Sequence, residues 1–232
     1  MSGKRRVAAL AVTCVLALAT PAVAAPSSDR ILPIDQYTTP KGRRLASTHA
    51  LALRELNATV YHCIPWVEVQ KQSIGFFKPK HLSQDDRYMA IRIYIEQDAA
   101  PSFALLEPES RASAMFSRYV GPLLRRMTKS PAVLADDTID GFTVILEWMK
   151  QASPTAGGRP VHETIAVFID KPTAVDYVAG RSNAEELVKR ARVLGWDGET
   201  ALGQLRLTAW DDNFVSTYRV KNYQLDPGVT CQ

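Results

Sequence analysis

The chain has 232 residues, 46% of them hydrophobic and 22% charged, with a formal net charge of +4. Three of its 28 basic residues and none of its 24 acidic ones fall in the first 24 positions, so the remainder balances at +1. A nearly neutral body gives no reason to expect nucleic acid or an anionic membrane surface as partner.

The opening segment has the order of an export signal. Lys4, Arg5 and Arg6 precede an apolar run over residues 7–18, then Pro21 and the small-residue triplet Ala22-Val23-Ala24. The run is shorter than the roughly 20 residues that span a bilayer, so residues 1–24 read as a cleaved signal peptide and not as an anchor. Arg5-Arg6 also opens a twin-arginine signal, but Val7, Ala8 and Ala9 lack the bulky pair that follows such a motif, which favours the Sec route. The expected location is periplasmic or secreted, with a bacterial style of signal. Removal of the signal leaves 208 of the 232 residues, enough for one domain with a sizeable core. No later stretch reaches 18 consecutive apolar residues, so no membrane span is expected in the mature chain.

Of the three cysteines, Cys14 leaves with the signal. Cys63 and Cys231 remain in an oxidising compartment, where a disulfide is the default. It would close a loop of 168 residues. Two inert thiols, or a reactive Cys63 beside His62, are the competing readings.

Residues 25–42 carry Pro33, Pro40, Gly42 and several hydroxyl residues without periodicity, and read as a flexible leader to a single domain over 43–232. A helical rhythm starts at Arg43 and runs through Ala46, Leu53, Leu56, Val60 and Cys63 until Pro65. Residues 66–70 and 74–77 suggest short strands. Over 88–97 the alternation is clear, with Met89, Ile91, Ile93 and Ile95 opposed to Ala90, Arg92, Tyr94 and Glu96. Pro108 opens the strongest helix, whose apolar stripe runs from Ala112 to Met127 with Arg111, Arg118 and Arg125 on the opposite, solvated side. Pro122 predicts a kink near Arg118.

Two further strands follow, over 142–149 and 161–169, separated by a loop with Pro154, Gly157 and Gly158. Pro172 starts a short helix ending at Gly180. Ser182 and Glu185 suggest a capping box for another helix, carried by Leu187, Val188, Ala191 and Leu194 and closed by Gly195. Two final strands over 203–210 and 214–221 would flank a turn at Asp211-Asp212-Asn213. The class is α+β, an antiparallel sheet with helices on one face. From Tyr88 onward the order β-α-β-β-α-β matches the ferredoxin-like arrangement, with an added N-terminal helix and C-terminal strand.

On that arrangement the uncovered sheet face holds Arg92, Tyr94 and Glu96, then Thr143 and Glu147, His162 and Thr164, and lastly Arg206, Thr208 and Trp210. Arg92, Tyr94, Arg206 and Trp210 are the ligand-binding candidates, because aromatic and guanidinium groups are common in recognition surfaces. A solvated face with ordinary cross-strand pairs, such as Arg92 with Glu147, is the plainer reading. Glu147 and His162 on neighbouring strands are the candidate acid–base pair for a hydrolase. His162 and Glu163, although adjacent, point to opposite faces. None of the four histidines has metal-ligand spacing, and no nucleophile elbow, phosphate loop or cofactor signature occurs, so neither metal nor cofactor is expected. The first reading is therefore a non-catalytic domain binding an unidentified protein or small molecule, and the second an extracytoplasmic hydrolase.

Overall fold

The computed structural model describes residues 26–95, 101–151, 160–209 and 231. The expected signal peptide, Glu96, Trp210 and the turn at 211–213 lie outside them.

Residues 29–37, expected in a leader, run along the body of the domain. Ile31 bridges to Ile74, and Tyr37 is buried with its hydroxyl accepting from the Phe76 N–H at 3.0 Å. Helix α1 (Pro40–Thr48) starts where the Thr39 hydroxyl accepts from the Gly42 N–H. The backbone breaks at His49 before α2 (Ala50–Cys63), so the single expected N-terminal helix is two. Strands β1 (Val67–Val69), β2 (Gly75–Phe77) and β3 (Tyr88–Ile95) follow. A short α3 (Pro101–Ala104) precedes α4 (Pro108–Met127), which continues through Pro122. Then come α5 (Pro131–Ala135), β4 (Gly141–Gln151), β5 (Val161–Asp170) and α6 (Lys171–Val178). The chain closes with α7 (Ala184–Arg190), β6 (Arg192–Asp197) and β7 (Thr200–Gln204).

The seven strands form one sheet in the order β1-β3-β4-β5-β6-β7, with β2 also on β3. Among the named strands β3 and β4 alone pair in parallel, joined by the long helical crossover that parallel neighbours require. The class is α+β, but the ferredoxin-like order is not what forms. In that arrangement an antiparallel strand separates the two parallel ones, whereas here β3 and β4 are direct neighbours and β6 adds antiparallel to β5. The difference arises in residues 182–204. The capping box is Asn183 with Glu186, one residue later than expected, and Ser182 takes no part. Its helix stops at Arg190, and Arg192–Asp197 is a strand. A two-residue loop, Gly198-Glu199, then turns β6 into β7, with Gly198 at φ +58° where a side chain would be strained.

The core lies between the helices and one face of the sheet. Met89, Ile91, Ile93 and Ile95 of β3, Val144 and Leu146 of β4, and Ile165 and Val167 of β5 are all buried there, against Phe116, Val120, Leu123 and Leu124 of α4. Gly195 belongs to this face and allows Leu205 to approach, since a Cβ would meet its Cδ1 at 2.5 Å. The Cys63–Cys231 disulfide forms, with Cα atoms 5.5 Å apart. Among the described residues no helix is long and apolar enough to cross a membrane.

Arg111 corrects the expected solvated stripe. It is buried and donates through Nε to Glu163 Oε2 at 2.7 Å, with a second bond from Nη2 to Oε1. Trp148 Nε1 donates to the same carboxylate at 3.0 Å. Arg118 is half-buried, and Arg125 lies over the Tyr177 ring with 4.8 Å to its centroid. Of the three arginines, Arg111 alone is buried, and Arg125 stays exposed as expected while it stacks on Tyr177.

Candidate functional site

Among the described residues no helix lies on the other face of the sheet, and strand register fixes its side chains in rows. The lowest row runs Ala90, Thr143, Phe168 and Arg192 across β3, β4, β5 and β6. The next runs Arg92, Ile145, Ala166 and Leu194, and the third Tyr94, Glu147, Thr164 and Trp196. His162 stands opposite Met149 one row further. Period-two alternation brings these residues together, because every one of them is out of phase with the core set.

This face is a cleft of about 930 Å³. Its floor is apolar, from Ala90 and Ile145 to Leu194 and Trp196. One wall is the β1–β2 connection, where Gln70 N–H and Ser73 Oγ both donate to the Arg92 carbonyl, at 2.9 and 3.1 Å. An end wall is the segment after β2, which crosses the lowest row so that His81 meets the edge of Phe168 with ring centroids 4.7 Å apart. Lys71, Lys78, Lys80 and Arg92 stand around this space, and no Asp or Glu lines it among the described residues. Burial, and after it the nearby Arg192 charge, hold His81 below the ordinary imidazole value of 6.5.

Of the four ligand-binding candidates, Arg92 lines the cleft and Tyr94 sits beyond its rim. Arg206 is exposed on the segment after β7, which turns away to the helical side. There Leu205 is buried and the Thr208 N–H donates to Ser113 of α4 at 3.1 Å. Arg206 thus leaves the face on which it was expected, because β7 ends before it. Trp210 lies outside the described residues, and the tryptophan on the face is Trp196. That residue, with Phe168, Leu194 and the cationic segment 78–81, escaped the sequence reading. The missed signal was Asp197-Gly198, a hairpin dipeptide that would have released residues 192–197 from the helix.

Glu147 and His162 do meet. His162 Nδ1 lies 3.1 Å from Glu147 Oε1, and Arg92 donates to Oε2 through Nη2 at 2.6 Å and Nε at 3.2 Å. The Tyr94 ring stands 5.3 Å from that of His162. Both carboxylate oxygens are therefore engaged, and neither Glu147 nor His162 lines the cleft. Glu163 is on the opposite face, in the Arg111 pair. Among the described residues no group of three or more His, Cys, Asp or Glu converges as a metal site. Comparison of the chain with protein-family models, with curated proteins and with solved structures gives no significant match.

Proposed function

We propose that this is an exported, non-catalytic binding domain that captures its partner in the cleft on the uncovered face of the sheet. The observation that carries the reading is the cleft itself, whose size falls in the range of small-molecule sites and whose floor is apolar inside a polar rim. A solvated sheet face needs no such floor. Trp196 and Ile145 would supply the contact area, and Arg92 would orient a polar group. The disulfide between Cys63 and Cys231 supports an oxidising location, in keeping with a signal over residues 1–24.

The test uses N-phenyl-1-naphthylamine, an uncharged fluorescent probe. It should bind the mature chain saturably, and Trp196→Gln and Ile145→Gln should each weaken it about tenfold, the expected effect of losing a buried apolar contact. Each variant should keep its cooperative melt by circular dichroism. No saturable binding, or binding indifferent to both substitutions, would refute the assignment. N-terminal sequencing of native material checks the export half, with a start near Ala25 expected and a start at Met1 against it.

The contact between His162 and Glu147 favours a second reading, hydrolysis with this pair as acid and base. Release of p-nitrophenol from p-nitrophenyl acetate, lost in His162→Gln, would support it. An unchanged rate in that variant would remove it.

A further inference from the structure

The cations around the cleft are not equally available. Arg92 is matched by Glu147, and Lys71 lies 3.4 Å from Asp29. At the opposite corner, Lys80 and Arg192 form no ion pair with a described residue. Lys78 donates to the Ser83 carbonyl at 2.8 Å, a neutral acceptor, and likewise forms no ion pair with a described residue. Lys78 and Lys80 line the end that His81 closes over Phe168, and Arg192 stands just beyond that lining, as the register partner of Phe168 whose charge acts on His81. From that end the floor runs along β5 from Phe168 to Thr164, four residues or about 13 Å of strand. It passes Ile145 and Leu194 and reaches Trp196.

The structure thus offers a site with a charged end and an apolar body. We propose that it holds one free molecule of a medium-chain aliphatic acid, with the acid group at Lys78, Lys80 and Arg192 and the chain lying along Ile145, Leu194 and Trp196. The inference rests on the binding reading above and adds the ligand's class and direction. Uncompensated cations beside a low-dielectric floor attract an anion more strongly than the same cations in open solvent. A lipid bilayer is the wrong source for that acid. The most exposed large apolar side chains among the described residues are Ile34, Leu51, Tyr61, Leu105, Val161 and Leu202, and none of them lines the cleft. Its apolar atoms lie at the floor, where a monomer reaches them and a membrane surface does not.

Displacement of N-phenyl-1-naphthylamine from the mature chain tests this, using sodium decanoate and decyltrimethylammonium below their micellar concentrations. Decanoate should displace the probe at a concentration at least about tenfold lower, as a charge-assisted hydrogen bond implies. The double variant Lys80→Gln, Arg192→Gln should raise the decanoate midpoint about tenfold and leave probe affinity within about twofold. Equal displacement by the two amphiphiles, or a variant that behaves like the parent, would overturn the inference while the cleft remains a binding site. Failure of the probe to bind would overturn both. Sedimentation with phosphatidylglycerol vesicles should leave the protein in the supernatant, and its recovery with the vesicles would contradict a free acid as the ligand.

Discussion

Two arginine–glutamate pairs stand on opposite faces of the same sheet, and they do different things. Arg111 and Glu163 lie in the core with about 4% of each side chain exposed, locked further by the Trp148 indole and by the carbonyls of Ala104 and Leu106. Arg92 and Glu147 lie on the uncovered face, with 45% and 15% exposed. In the core pair each charge is spent on satisfying the other, because an unmatched one there is costly. On the open face water can solvate what the protein leaves unmatched, so cations can be held ready beside an apolar floor. The lesson is that burial decides whether a charge serves the fold or is free to meet a ligand.

The comparison breaks most visibly on the core side. Glu163→Ala strands Arg111 and the Trp148 N–H, and should cost about 3–5 kcal/mol in urea unfolding. A loss below about 1 kcal/mol would mean that the pair is solvated after all. Cys63→Ser opens the 168-residue loop and should lower stability by about 2–4 kcal/mol. An unchanged midpoint under oxidising conditions would show that the bridge does not form in solution. Next comes Asp136, at the end of α5, which takes His49 Nε2 at 2.9 Å and the Thr138 N–H and hydroxyl. Burial raises its carboxyl, but the bonds from Thr138 and His49 outweigh that and bring it from 3.8 to about 2. A depressed carboxylate stabilises the fold above its unfolded value and loses that contribution as pH falls through the folded one. Stability should therefore drop between about pH 4 and pH 2 by at most about 2 kcal/mol, and Asp136→Asn should flatten that limb. The smallest effect belongs to the open face. Arg92→Gln should change stability by less than about 1 kcal/mol, and a larger loss would make the exposed pair structural.

Much of this architecture was legible in the chain. The alternation of β3 and β5 placed Met89–Ile95 and Ile165–Ile169 on the covered face, and so put Arg92, Thr143, Glu147, His162 and Thr164 together on the other. Their cross-strand contacts follow from pairing alone. The part of the site on β6 was hidden for a physical reason. Leu187, Val188, Ala191 and Leu194 have helical spacing, yet Arg192–Asp197 gains a full ladder with β5 by leaving the helix, and tertiary pairing outweighs so short a helix. Arg111 was misplaced because the stripe argument counts charge as outward. It could not foresee that Glu163, on a distant strand, would meet it inside. The segment 78–81 carried no periodicity, so only the fold brings His81 over Phe168.

The central claim, that the uncovered face is a directional site for an anion with an apolar tail, is tested most directly by titrating the isotope-labelled mature chain with sodium decanoate and following backbone amide shifts. Saturating changes should concentrate at residues 78–81, 143–145, 164–168 and 192–198, with the largest near Lys80 and Arg192. Changes confined to α2 and α4, or spread over the surface without saturation, would contradict it.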